Sequence, residues 1–132
     1  MINKINKTIL FLLNDTDLIL LNVIKTKFNK EEGWESIIST SYEDAIMSFE
    51  ESNPDVILTE IIINDVNNRT GFDFIKEVKE KKNKKLSQII IFTELGLDDN
   101  REMAKMLGIQ HYFVKSKISL NGLISEIKKI LL

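Results

Sequence analysis

The chain has 132 residues, 43% hydrophobic and 29% charged, with a formal net charge of -2. That length suits one domain around one sizeable core, and the composition is ordinary for a globular protein. The absence of cysteine excludes a disulfide framework or thiolate metal site, the single histidine (His111) excludes a multi-histidine zinc site, and the slight acidic excess argues against nucleic-acid binding as the main activity.

No apolar run reaches membrane-spanning length. The start, Met1 to Lys7, lacks the apolar core and cleavage site of a signal peptide. A cytoplasmic protein with no membrane or nucleic-acid partner is the expectation.

In chain order, Ile9-Leu10-Phe11-Leu12-Leu13 is a short continuous apolar run, as expected of a strand buried on both faces of a parallel sheet. Asp17 to Phe28 follows with Leu18, Leu21, Ile24 and Phe28 on one helical face. Trp34 to Ser39 is a weaker strand, placed nearer a sheet edge. Ser41 is an N-cap for a helix over Tyr42 to Glu51, with Asp44 completing a variant of the capping box. Val56-Ile57-Leu58 is a second buried strand, ending in Thr59-Glu60. Gly71 to Lys82 sets Phe72, Ile75 and Val78 on one stripe, and Lys81, Lys82, Lys84 and Lys85 read as a solvated, dipole-favoured helix end. Ile89-Ile90-Ile91-Phe92 is the third buried strand. Asp98 to Leu107 is a helix stopped by Gly108. His111 to Val114 is an edge strand, and Leu120 to Leu132 closes the chain as a helix. Strand then helix, five times over, predicts one α/β domain over residues 1–132, its core from about Thr8, with a parallel sheet covered on both faces.

In a doubly wound sheet of order 2-1-3-4-5, ligands bind in the crevice at the C-terminal ends of the first and third strands. Here those ends carry Asn14-Asp15 and Glu60, while the fourth strand ends in Thr93 and the fifth in Lys115. Each has a plain structural reading by itself. Asp15 or Asp17 serves as a helix cap, Thr93 caps a turn, and Lys115 is a solvated charge. Their joint arrival at one crevice is harder to explain that way.

The set resembles a response-regulator receiver domain of two-component signalling. That family has an acidic pair after strand one, an aspartate after strand three, Thr or Ser after strand four and Lys after strand five. Pro54-Asp55, Gly71, Gly108 and Tyr112 extend the likeness, which spans about Thr8 to Leu132. The resemblance implies a flavodoxin-like (βα)5 fold and a signalling role rather than an enzyme. It implies that Asp15, the Asn14 position, Glu60 and the backbone carbonyl of Ile62 surround Mg²⁺. It further implies that Lys115 and Thr93 contact a phosphoryl group, that Tyr112 is an aromatic switch packing inward in the active state, and that a sensor histidine kinase or other signalling protein is the partner. The face made by the fourth helix, last strand and fifth helix is the family's usual partner or dimer surface; here it includes Arg101, Lys105, Tyr112, Lys117 and residues of Ile118 to Lys129, and its mixed charge permits a homodimer without establishing one.

Four departures qualify this. Asn14 replaces an acid, which weakens any Mg²⁺ site. Glu60 stands at the acceptor position, its carboxylate about 1.5 Å further out than that of aspartate. A displacement of that size costs an in-line attack about 10²-fold. Asn64 replaces a proline in a longer loop that also carries Asp65 and Arg69. Ser116 replaces the proline after Lys115, so a trans bond is expected there. Asp65 is the rival acceptor, disfavoured because it lies beyond the strand tip. The expectation is an atypical receiver in which Glu60 biases or bypasses phosphorylation, with Mg²⁺ weak or absent. The alternatives are a conventional Mg²⁺-dependent acceptor at Glu60 and a non-phosphorylated docking scaffold. A flavodoxin-like electron carrier is disfavoured, because the acidic Asn14-Asp15-Thr16-Asp17 turn repels a cofactor phosphate.

Overall fold

A computed structural model of the chain describes residues 7–28, 33–81 and 87–131. Five strands, β1 (Lys7–Leu12), β2 (Trp34–Ser39), β3 (Val56–Thr59), β4 (Gln88–Thr93) and β5 (His111–Val114), alternate with five helices. The helices are α1 (Leu18–Lys27), α2 (Tyr42–Ser52), α3 (Gly71–Glu80), α4 (Asp98–Met106) and α5 (Leu120–Leu131). The strands form one parallel sheet in the order β2-β1-β3-β4-β5. The two weaker runs of the sequence, Trp34–Ser39 and His111–Val114, are the two edges.

The continuous apolar runs serve both faces of the sheet because successive side chains point opposite ways. Ile9, Phe11 and Leu13 pack with Leu20, Ile24 and Phe28 around α1 and with Leu123, Ile127 and Leu131 of α5. Leu10 and Leu12 pack with Ala45 and Phe49 of α2, Phe74, Ile75 and Val78 of α3, and Ala104 of α4. Trp34, partly buried against this cluster, meets Phe28 edge-on at 6.4 Å.

The helix ends follow local chemistry. Ser41 Oγ accepts from the Asp44 N–H at 3.2 Å, capping α2. Thr70 and Asp73 form a full capping box on α3, with Asp73 N–H to Thr70 Oγ1 at 3.3 Å and Thr70 N–H to Asp73 Oδ2 at 2.8 Å. Gly108 ends α4 with φ of 74°, a left-handed conformation that favours glycine. The expected α3 end at Lys82 lies outside the described residues, as do Lys84, Lys85 and Leu132. Lys81 caps α3 and pairs with Glu50 of α2 at 2.6 Å.

One contact fixes the tip of β3. A Cβ on Gly71 would stand 2.0 Å from the Glu60 carbonyl oxygen and 2.9 Å from Thr59 Oγ1. Only glycine lets α3 start this close to β3. The Gly71 N–H donates to the Ile61 carbonyl at 2.8 Å, and the Glu60 N–H donates to Leu12 at 2.9 Å. Glu60 is therefore held at a defined place between β1 and α3.

Candidate functional site

The C-terminal ends of β1, β3, β4 and β5 open onto one crevice of about 480 Å³, lined by Asn14, Thr16, Asp17, Glu60, Ile62, Thr93, Glu94, Leu95 and Lys115. The strand order places it at the switch between β1 and β3, where connections leave to opposite faces of the sheet.

Glu60 is the centre of the crevice and is 6% exposed. Its Oε2 accepts from the Ile61 N–H at 2.6 Å. Its Oε1 lies 2.9 Å from Lys115 Nζ. The same ammonium reaches Asp17 Oδ2 at 3.1 Å and stands 5.5 Å from the centre of the Phe92 ring. One cation thus bridges two carboxylates in the crevice. Burial works against the ammonium, but the hydrogen bonds and charges of Glu60 and Asp17 outweigh it and hold Lys115 above its ordinary value.

Thr93 is fully buried at the end of β4, and its Oγ1 accepts from the Leu95 N–H at 3.2 Å. The Leu95 carbonyl in turn accepts a short hydrogen bond from the Tyr112 hydroxyl. Tyr112 is half-buried, and the Arg101 guanidinium lies over its ring at 4.9 Å. Burial pushes the Tyr112 phenol up, with Glu60 adding to the rise and Arg101 opposing it.

The crevice gathers Asn14, Glu60, Ile62, Thr93 and Lys115, as the sequence suggests, but the carboxylate that joins Glu60 on Lys115 is Asp17. Asp15 is exposed and stands outside the lining. Asp17 occupies the N-cap position of α1 without capping it, because its carboxylate goes to Lys115. The sequence signal for this was present but ambiguous: an acid directly before a helix reads first as a cap. The Asn14 Oδ1 is used locally, accepting from Thr16 N–H at 3.2 Å and Thr16 Oγ1 at 2.9 Å.

The β3–α3 loop follows a path that proline cannot take at Asn64, whose φ is 53°. Asp65 turns away from the crevice. Its carboxylate accepts from the N–H groups of Asn67 and Arg69 at 3.0 and 3.1 Å, and from Arg69 Nε and Nη2 at 2.8 and 2.9 Å. The Arg69 guanidinium beside it holds the Asp65 carboxyl down at about 2. Arg69 continues to Glu43 of α2 at 2.6 Å and lies over the Tyr42 ring at 3.9 Å. The loop is therefore tied to α2. After β5, Lys115–Lys117 forms a short 3-10 turn, and the described residues contain no cis peptide bond.

Among the described residues no group of three His, Cys, Asp or Glu side chains is arranged to hold a metal ion. A carboxylate and carbonyl donor set is of the right chemical kind for Mg²⁺. However, Glu60 and Asp17 are engaged by Lys115, so a divalent cation reaches those two carboxylates only by displacing it, while the third carboxylate lining the crevice, Glu94, is exposed.

Among families of known proteins, the one described as the response regulator receiver domain matches residues 11–128. No curated protein matches the sequence. Among solved structures, the chemotaxis protein CheY4 of Vibrio cholerae is 21% identical, with a TM-score of 0.76 over 95% of this chain and 98% of that one. A CheY-like receiver domain protein from Methanospirillum hungatei is 20% identical, with a TM-score of 0.76 over 96% and 94%. The receiver domain of a Francisella response regulator is 22% identical, with a TM-score of 0.75 over 95% and 96%.

Proposed function

This chain belongs to the response regulator receiver domain family, and from that premise we propose that it is an atypical receiver whose Glu60 supplies a built-in negative charge in place of a transferred phosphoryl group. The observation that carries this reading is the Glu60–Lys115 contact at 2.9 Å in a buried crevice. The extra methylene brings the carboxylate to the ammonium that would otherwise meet the phosphoryl oxygens.

Several features support the reading. The groups that sense charge are kept: Lys115 is paired, Thr93 is buried in the lining of the same crevice, and the Tyr112 hydroxyl donates to the carbonyl of Leu95, whose N–H donates to Thr93 Oγ1. The groups that would install a phosphoryl group are altered. Asn14 carries no charge, Asp15 points to solvent, and Glu60 Oε1 is engaged by Lys115 and not free for in-line attack. The signal is then carried by binding and by a shifted conformational equilibrium rather than by turnover, so the domain acts as a signalling protein and not as an enzyme. Its partner is a sensor histidine kinase or another signalling protein. The groove of about 440 Å³ between α4 and β5, lined by Arg101, Lys105 and Tyr112 among others, suits contact with a second copy. Mg²⁺ binds weakly because Lys115 already occupies the carboxylate oxygens of Glu60 and Asp17 that would ligate it.

Incubation with acetyl phosphate and Mg²⁺, followed by intact-mass measurement, tests the proposal. The expected result is unmodified protein. A stoichiometric phosphoryl adduct at Glu60 would overturn the proposal and favour a conventional acceptor.

A further inference from the structure

Tyr112 is the side chain through which the crevice can reach the outer surface of the domain. Its ring is half-buried on edge strand β5, and its hydroxyl is anchored to the Leu95 carbonyl. The other half of the ring needs a cover, and the cover comes from α4. Arg101 lies with its guanidinium carbon 4.9 Å from the ring centre, within the range of an attractive cation–π contact. Arg101 is itself half-buried. Among the described residues no carboxylate draws its guanidinium into an ion pair, so the Tyr112 ring is the partner it faces.

We infer that Arg101 is a positioning residue, a latch on α4 that holds the Tyr112 ring inward and so keeps the Tyr112 hydroxyl on the Leu95 carbonyl. The physical chain is continuous. Arg101 covers the ring, the ring directs the hydroxyl to Leu95, and the Leu95 N–H donates to Thr93 Oγ1 in the crevice. Closure of the latch and charge at Glu60 favour the same ring position. The two sites are then coupled, each biasing one two-state side chain. The latch rests on the proposed reading of Tyr112 as a switch, but it makes a separate claim about α4.

A cation–π contact at a partly desolvated site favours the closed position by about 2- to 30-fold. The chain has two tyrosines, and Tyr42 is buried between α2 and α3. Fluorotyrosine labelling therefore gives two 19F resonances, with Tyr42 as an internal reference. The ring's exposure is read from the solvent isotope shift between H₂O and D₂O. In Arg101→Gln the Tyr112 resonance should move toward its solvent-exposed position, with the inward-to-outward ratio falling about 2- to 30-fold, while the Tyr42 resonance stays fixed. Arg101→Lys, which keeps the cation, should restore most of the wild-type signal. An unchanged Tyr112 resonance in Arg101→Gln would overturn the latch, and so would an Arg101→Lys spectrum equal to that of Arg101→Gln. Glu60→Gln in the same assay separates the two claims. If Tyr112 responds to Arg101 but not to Glu60, the latch stands and the built-in charge fails. The reverse pattern retires the latch alone.

Discussion

Replacing Lys115 by methionine removes the ammonium while keeping a stem of similar length over Phe92. The structure gives the scale. Lys115 Nζ lies 2.9 Å from Glu60 and 3.1 Å from Asp17, with side-chain exposures of 17%, 8% and 28% for the three residues. At about 3 Å and an effective dielectric of about 20, each contact is worth roughly 5 kcal/mol before desolvation. Desolvation cancels much of that, yet removing one partner strands the other charges, which costs about 3–5 kcal/mol in buried pairs. The partial exposure of Asp17 places Lys115→Met at the low end, about 3 kcal/mol. At roughly 3–5 °C per kcal/mol for a domain of this size, Tm falls by about 10–15 °C. Calorimetry and urea unfolding measure both quantities.

A double-mutant cycle then isolates the pair. Glu60→Gln removes one stranded carboxylate, so the double variant should be less destabilised than the sum of the singles, by about 1–3 kcal/mol. The pH dependence has a definite sign. Because the folded value of Lys115 is raised, its stabilisation is fully present below the ordinary 10.5 and is lost as pH rises through the higher folded value. Wild type should therefore show an alkaline loss above 10.5 that Lys115→Met lacks. A cycle additive within about 0.5 kcal/mol would refute the reasoning, because independent sites behave that way.

Three further predictions follow from particular contacts. Millimolar Mg²⁺ should leave the wild-type Tm unchanged but recover part of the stability of Lys115→Met, where two carboxylates are freed; equal shifts in both proteins would show that Lys115 does not compete with the metal. The Asp65 carboxyl should titrate at about 2 by 13C NMR and return toward 3.8 in Arg69→Gln, because Arg69 supplies the main downward pull; any stability carried by this depressed group is present above about 4 and lost as pH falls through 2. Gly71→Ala places a methyl 2.0 Å from the Glu60 carbonyl and should cost about 3 kcal/mol in urea unfolding, whereas a cost below about 0.5 kcal/mol would mean that α3 can retreat.

Much of the fold is legible in the sequence because strands buried on both faces leave a plain mark. The runs at Ile9, Val56 and Ile89 fall where β1, β3 and β4 lie. Helix ends are legible where a cap is chemically explicit. Ser41 and Gly108 behave as their residue types suggest, and Thr70 with Asp73 carried an equally readable signal that Gly71 overshadowed. The crevice was legible at strand tips, since a strand fixes the direction of its last side chain. Glu60, Thr93 and Lys115 therefore converge as expected. After β1 the chain turns, and the choice between Asp15 and Asp17 depends on how tightly Asn14 and Thr16 fold that turn. Residue spacing does not contain that information. The ties of Arg69 to Glu43 and of Arg101 to Tyr112 join distant segments and become visible only once the helices are packed.

The central claim is that the charge of Glu60, with no phosphoryl group present, favours the arrangement of the crevice and Tyr112 that a phosphoryl group would otherwise produce. Its most direct test is the 19F spectrum of labelled Tyr112 in wild type and Glu60→Gln, with no phosphodonor present, before and after adding beryllofluoride with Mg²⁺. A built-in charge predicts an inward Tyr112 in wild type that beryllofluoride does not move, and an outward shift in Glu60→Gln. Identical Tyr112 signals in the two unligated proteins, or a wild-type ring that turns inward only with beryllofluoride, would contradict it.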